Sequence, residues 1–435
     1  MNTAITIDNA VILIELDGTN AGAGANGFVL TGTASGSTLR GLAINRFGRV
    51  GISLLEGDNN IISGNFIGTD TTGTLARANN FGIATNVANG AIIGGTTGGA
   101  GNLISGNTND GIGIGFTGNM SVHGNRIGTA ADGVSALANT GDGIKIATSG
   151  GNNQIGGIGA NEGNIIAFNN EDGVQITDVG ASPVNNPILS NSIYSNGGLG
   201  INLSIDGVTP NDAGDADNGA NNLQNFPVIT AAQSGSTRVI GTFNSTASTT
   251  FRLEFFNSPT VDPSGSGEGQ FFVGAVNVLT DGSGNAVFDQ TFAPNSPLNS
   301  YISATATNLT TNDTSEFSNV KQVLSPTAAP VSIGVRFLTA DGRGVFGSRV
   351  KMSDSNGNVR LVMTNSFGRF SFAEVAAGET YIFTVSHKRY RFSTQILSAF
   401  EDRDDLNFVA PGKLFDIPII SPVEFRSGEQ IYIQK

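Results

Sequence analysis

Three aspartates, Asp110, Asp142 and Asp172, recur at nearly equal intervals, each directly before a Gly-Ile or Gly-Val dipeptide. Repeated carboxylates, with Lys145 three residues beyond the second, are the residue types that acid–base chemistry on a glycan needs. Glycosidase carboxylates sit about 5–9.5 Å apart, and one or two steps of about 4.8 Å between stacked strands approximate that separation. A lyase asks for more, namely a base for the sugar carbon and a cation beside the substrate carboxylate. Lys145 is the one basic residue that joins this column. The competing reading is structural: Asp-Gly is a turn dipeptide whose side chain bonds nearby amides. A second acidic group, Asp212, Asp215, Asp217 and Asn218, has the Asp-x-Asp spacing of a calcium loop with Gly219 following. It lacks the full twelve-residue pattern and its terminal Glu, so Ca²⁺ stands there against an ordinary solvated linker. Ca²⁺ is the one cofactor the residues suggest.

Other chemistries are excluded by what is missing. The 435 residues contain no Cys, which removes thiol catalysis and any disulfide framework, and only 2 His. His123 and His387 fall in different modules, so neither a His-based triad nor a zinc site can be assembled. Net charge is −13, with 9 Lys/Arg against 24 Asp/Glu in residues 1–330 and 13 against 11 in residues 331–435. Such an acidic balance argues against nucleic acid, whose binders need basic surfaces. Lys388, Arg389 and Arg391 around Tyr390 form the one basic patch, read as a solvated strand end or as a dock for an acidic surface.

The elements that hold the aspartates are read from a repeat. Gly51-Ile52, Gly82-Ile83, Gly111-Ile112, Gly143-Ile144, Gly173-Val174 and Gly200-Ile201 place their apolar members 31, 29, 32, 30 and 27 residues apart. Asn pairs recur in step, as in Asn60 to Asn65, Asn102 to Asn107 and Asn164 to Asn169. A longer period of 60 relates Gly64-Asn65-Phe66-Ile67-Gly68-Thr69 to Gly124-Asn125-Arg126-Ile127-Gly128-Thr129. Ile93-Gly94-Gly95 returns as Ile155-Gly156-Gly157, so units alternate between two types. Each unit holds short runs of alternating apolar residues that cannot bury a face alone. Stacked coil on coil, their amides pair with the neighbouring rung, Ile and Val line the interior, and Asn at matched turns forms ladders.

The Gly-Asn-x-Ile-Gly-Thr and Asn-x-Ile-Ser-Gly-Asn elements resemble the pectin-lyase-like right-handed parallel β-helix repeats of large bacterial secreted and surface proteins. Leu13 to Gly18 and Arg40 to Ile44 resemble the rungs that precede them. The resemblance covers residues 1–205 and implies fold and an exported location more than activity. Residues 206–226 read as a polar connecting loop. Residues 227–324 carry Thr/Val/Phe-rich runs between Gly/Pro/Asp turns, such as Phe251 to Phe256 and Ala286-Val287-Phe288, and resemble an immunoglobulin-like β-sandwich. Ser325 to Pro330 reads as a linker. Residues 331–411 resemble a carboxypeptidase-regulatory-like (transthyretin-like) domain, on Asp341-Gly342-Arg343-Gly344-Val345, Thr364 to Phe372, Gly378-Glu379-Thr380-Tyr381 and Lys388 to Phe392. That resemblance implies a structural or adhesive module. Residues 412–435 are a tail with one strand-like run, Gln430 to Ile433.

The expected fold class is therefore all-β: a right-handed parallel β-helix, an immunoglobulin-like sandwich and a smaller transthyretin-like sandwich. No apolar run reaches the about 18 residues of a membrane helix. The start, Met1-Asn2-Thr3-Ala4-Ile5, has no signal-peptide pattern and reads as the interior of a strand, as if more chain preceded it. The expected function is a non-catalytic, secreted or cell-surface structural and adhesive protein of bacteria. Its expected partners are extracellular polysaccharide or cell-surface components, bound through the β-helix face. The alternative is a polysaccharide lyase or glycoside hydrolase using Asp110, Asp142, Lys145 and Asp172. Absence of Trp and the scattered placement of Phe66, Phe81, Phe116 and His123 weigh against an aromatic sugar track.

Overall fold

A computed structural model describes residues 10–410, apart from 117, 148–150, 178–179, 181, 205–206, 263–264, 326–330, 355–356, 378 and 400–401. The expected linker at 326–330, the first nine residues and the 412–435 tail lie outside the described residues. The chain divides into two compact units, Met1–Ser325 and Pro326–Lys435. Among the described residues no helix is long and apolar enough to cross a membrane.

Residues 14–202 of the first unit build three parallel sheets in which strands that neighbour in space come from successive coils. The first sheet runs from Ile14–Asp17 to Ser192–Tyr194, the second from Phe28–Leu30 to Ile201–Asn202, and the third from Thr38–Arg40 to Ile188–Leu189. Each coil contributes one short strand to each sheet, which is the topology of a parallel β-helix. The period of about thirty residues becomes a register. Ile44, Ile67, Ile104, Ile127, Ile166 and Ile193 stack in one column of the first sheet. Ile52, Ile83, Ile112, Ile144, Val174 and Ile201 do the same in the second. Leu39, Ile62, Ile93, Val122, Ile155 and Ile188 form the third column. Most of these side chains are fully buried in a single continuous core. Each contributes about 1.5–3 kcal/mol through removal of its apolar surface from water.

The glycine before each second-sheet strand is there because coils approach closely at that corner. A Cβ on Gly82, Gly111, Gly143 or Gly173 would lie 2.5–2.7 Å from the carbonyl oxygen of the equivalent glycine in the next coil. The longer period arises from insertions. Every second coil carries a flap between the first and second sheets, closed by the bridges Thr69↔Ala76 and Thr129↔Ala136. The two flaps stack, Ala131 N–H donating to Gly73 O at 2.9 Å.

The rest of the first unit is a mixed seven-stranded sheet, curled on itself. Its order is Phe271–Leu279, Thr250–Ser258, Tyr301–Asn308, Lys321–Leu324, Val228–Gln233, Thr237–Asn244 and Asn285–Phe292. Val239, Phe243, Phe251, Phe255 and Ile302 fill its interior. Phe256 and Phe317 instead belong to the core of the coil stack and cover its last coil. The connection before this sheet is not a solvated loop throughout: Ala220, Asn221, Gln224 and Asn225 are buried.

The second unit places a three-stranded sheet, Arg369–Val375, Val331–Leu338 and Arg403–Val409, against a four-stranded one. The latter comprises Val359–Met363, Arg349–Ser353, Thr380–Ser386 and Gln395–Ser398. Val335, Phe337, Val350, Met352, Phe370 and Phe383 pack between them.

If close approach fixes the corner glycines, Gly143→Ala destabilises the first unit by about 1–3 kcal/mol, the cost of overpacking. Gly24→Ala, whose added methyl meets nothing within 4 Å, changes stability by less than about 0.5 kcal/mol. Urea unfolding of the two variants checks this, and equal midpoints would remove the explanation of the glycine spacing.

Candidate functional site

The structure brings Asp110, Asp142 and Asp172 into one column at the corner that enters the second sheet. Asp142 N–H donates to Asp110 Oδ1 at 3.0 Å, Asp172 N–H to Asp142 Oδ1 at 2.9 Å, and Leu199 N–H to Asp172 Oδ1 at 2.6 Å. Each carboxylate thus takes the amide of the following coil, not a local one. The second oxygens of Asp142 and Asp172 are also engaged. Lys145 Nζ donates to Asp142 Oδ2 at 3.0 Å, and Gln175 Nε2 and Asn202 Nδ2 donate to Asp172 Oδ2 at 3.1 and 2.8 Å. Asp142 is fully buried, Asp110 and Asp172 nearly so, and Lys145 is half-buried. Gln175, in register with Lys145 on the next strand, is buried.

Burial pushes Asp110 up to about 6, with the Asp142 charge adding to it. Burial also raises Asp172, against the pull of its Leu199 and Asn202 donors. For Lys145, burial works to lower the ammonium, but Asp142 and its hydrogen bond outweigh that and the net shift is upward. A carboxyl near 6 suits a general acid. What the column lacks is access, since all three side chains are buried and each Oδ1 is occupied by a coil-to-coil bond.

Asp212, Asp215 and Asp217 also meet: one carboxylate oxygen from each lies within 4.8 Å of the others. Asn218 is exposed and outside that group. Asp215, at φ 58°, accepts from Asn225 N–H at 2.9 Å, Gln224 Nε2 at 2.7 Å and Ser245 Oγ. Asp212 accepts from Ala216 N–H at 3.1 Å. Asp217 Oδ1 is buried with no hydrogen-bond partner. Burial raises Asp215 to about 6 and raises Asp217, with Asp212 adding to the latter. The donor set is all oxygen, as Ca²⁺ prefers.

The sequence reading missed a third group of acids, at the end of the coil stack. A last coil has no successor to satisfy its amides, and here the seven-stranded sheet supplies acceptors. Glu268 accepts from the N–H groups of Ser195 and Asn196 and from Asn196 Nδ2. Glu316 accepts from Leu203 N–H at 3.1 Å and Thr209 N–H at 2.9 Å. Glu254 accepts from Ser190 N–H at 2.7 Å, and Asp313 from Asn185 N–H at 2.6 Å. The signal was present as a single acid in each of the runs Phe251 to Phe256 and Thr314 to Ser318, though Glu254 also pairs locally with Arg252 at 2.8 Å.

No family model matches this chain, and no curated protein matches it. Solved structures align in part. The BSP domain of a biofilm associated protein covers 43% of this chain at 17% identity and a TM-score of 0.20. The chain spans about a third of that protein's length, the alignment covering 33% of it. A bacterial adhesin from Mobiluncus mulieris covers 43% of this chain and 98% of its own, at 6% identity and a TM-score of 0.19. BcpA, the major pilin subunit of Bacillus cereus, covers 42% of this chain and 69% of its own, at 10% identity and a TM-score of 0.20. TM-scores this low leave these likenesses without weight for function.

Burial lifts Glu268 and Glu316 to about 7, from the 4.5 of a free glutamate. A carboxyl raised in the folded state stabilises fully below its unfolded pKa, and that contribution is lost as pH rises through the folded value. Thermal unfolding of the first unit is therefore expected to shift upward on going from pH 8 to pH 5.5. Glu268→Gln turns an amide donor toward amide donors, lowering Tm at every pH while shrinking the slope. A wild-type Tm that is flat or rises between pH 5.5 and 8 would show that these acids do not titrate in the cap.

Proposed function

We propose that this chain is a secreted or cell-surface structural and adhesive protein of bacteria, without catalytic activity of its own. Its right-handed β-helix is the stiff element. Its seven-stranded sheet is assigned as an immunoglobulin-like module, and its second unit as a carboxypeptidase-regulatory-like (transthyretin-like) one. The observation that carries this reading is the Asp column: the acids best spaced for glycan chemistry are consumed in holding one coil to the next. The exported location rests on the resemblance of the repeats. The partner class is extracellular polysaccharide or cell-surface components, met along the outer column Ser53, Ala84, Gly113 and Lys145 of the second sheet.

A polysaccharide lyase or hydrolase would need Asp142 and Lys145 to reach a sugar. The pair is separated by a reducing-end assay on any polysaccharide retained in a glycan array. Binding without turnover is expected, whereas release of reducing ends that Asp142→Asn abolishes would establish the enzyme. Asp142→Asn keeps an acceptor for Asp172 N–H but turns an amide donor toward Lys145, so it costs about 1–3 kcal/mol of stability with glycan retention unchanged.

Asp212, Asp215 and Asp217 are proposed as a Ca²⁺ site on the same chain, supported by the oxygen donor set and the unpartnered Asp217 Oδ1. A cation there would offset the repulsion that raises Asp217. Excess EDTA is then expected to lower the Tm of protein purified with Ca²⁺, and Ca²⁺ but not Mg²⁺ to restore it, since the loop offers no octahedral cage. An identical Tm in EDTA and in Ca²⁺ removes the site.

A further inference from the structure

The second unit contains a cavity of about 630 Å³ at the end of its sandwich, a size usual for small-ligand sites. Two turns build it. In the first, Thr339 N–H donates to Arg343 O at 2.8 Å and Arg343 N–H returns to Thr339 Oγ1 at 3.0 Å. Gly342, at φ 82°, closes this turn and sets Asp341 and Arg343 side by side. The second turn follows the strand Thr380–Ser386. Arg389 N–H donates to His387 Nδ1 at 3.1 Å, and the His387 ring stacks on Tyr390, with centroids 5.3 Å apart and planes at 28°. Arg343, Lys388 and Arg389 thus line one cavity with Asp341, Tyr390 and the exposed ring of Phe346.

The charges here are not consumed as they are on the β-helix. Among the described residues neither Lys388 nor Arg389 has an acidic partner. Arg343 pairs with Asp341 at 3.2 Å, but both are largely in water, where such a pair contributes little and exchanges readily for a ligand. Phe346 is 68% exposed and takes no part in the core of its unit. Three cations, one carboxylate acceptor and the exposed face of Phe346 ask for an anionic group, donor hydroxyls and an apolar C–H face together. A uronic-acid sugar carries all three on one ring. Inorganic phosphate offers only the charge, a neutral sugar leaves the cations unmatched, and Asp341 disfavours a dianion more than a monoanion.

We infer that this cavity binds the carboxylated sugars of an acidic polysaccharide, with Lys388, Arg389 and Arg343 on the carboxylate, Asp341 on hydroxyls, and Phe346 beneath the ring. This site lies on the second unit and stands apart from any recognition along the β-helix. Calorimetric titration of the full chain with tri-galacturonate tests it, beside the methyl-esterified trimer and uridine monophosphate. The expected result is saturable binding of tri-galacturonate that weakens with salt. The ester should bind at least about tenfold more weakly, and K388A/R389A should cause a similar loss with Tm unchanged. Tighter binding of uridine monophosphate, equal binding of the ester, or no binding of tri-galacturonate overturns the inference. Tri-galacturonate binding that persists in K388A/R389A also overturns it, while leaving the glycan reading of the β-helix intact.

Discussion

The fold depends on one repeated hydrogen bond: a side-chain oxygen at a corner that accepts the backbone amide of an adjacent coil. Strand amides pair through the sheets, but the corner amides between sheets have no strand partner, and a buried amide left unpaired costs free energy. Asparagine answers this in two long ladders. Asn65, Asn102, Asn125, Asn164 and Asn191 form one, each Nδ2 donating to the next Oδ1 at 2.8–3.1 Å while the backbone N–H shares that oxygen. Asn79, Asn107, Asn139, Asn169 and Asn196 form the other. An amide is suited to this because it both donates and accepts, so a single residue type propagates indefinitely.

A ladder that propagates must also end. The third ladder, Asn153 to Asn186, ends on Asn221, which donates back to Asn186 O and to Thr314 O. The Asn79 to Asn196 ladder ends on a carboxylate, Asn196 Nδ2 donating to Glu268 Oε1 at 3.1 Å, while Asn191 at the end of the first donates to Ile155 O at 2.8 Å. An acid serves at a terminus because it only accepts, so it can take several amides without presenting a donor that needs a further coil. Its cost is desolvation, visible in the raised Glu268 and Glu316. The cap and the coils therefore form one compact unit, and the β-helix is not closed at this end without the sheet that follows it.

The coil period was legible in the sequence because the structure is itself periodic. A Gly-Ile dipeptide every thirty residues maps directly onto a register column, and the 60-residue period onto alternating flaps. The position of the Asp column was legible for the same reason. Its role was not, since the amide each aspartate accepts from lies about thirty residues ahead, beyond any local pattern. The polar stretch before the seven-stranded sheet misled for a related reason. Composition marks Ala220, Asn221 and Asn225 as loop, and only tertiary contacts bury them, Ala220 and Asn221 against the coil stack and Asn225 against Asp212, Asp215 and Asn244. The capping acids sit still further from their partners, 64 residues in the case of Glu254 and Ser190 and 128 for Asp313 and Asn185.

The choice of aspartate over asparagine at Asp142 and Asp172 follows from counting donors. At the equivalent corner of the first coils, Asn26 Oδ1 accepts from Val50 N–H at 3.1 Å, so a neutral amide suffices where that backbone N–H is the donor to meet. At Asp142 two donors converge, the next coil's amide on Oδ1 and Lys145 on Oδ2; at Asp172 there are three. An asparagine would turn its own donor toward Lys145 or Gln175, leaving both unsatisfied in a buried setting. At these two corners charge appears where a second oxygen must also accept, which accounts for the residue type there without any substrate, whereas Asp110 accepts a single amide on Oδ1. The same criterion gives the opposite answer on the second unit, where Lys388 and Arg389 have donors to spare and no acidic partner among the described residues.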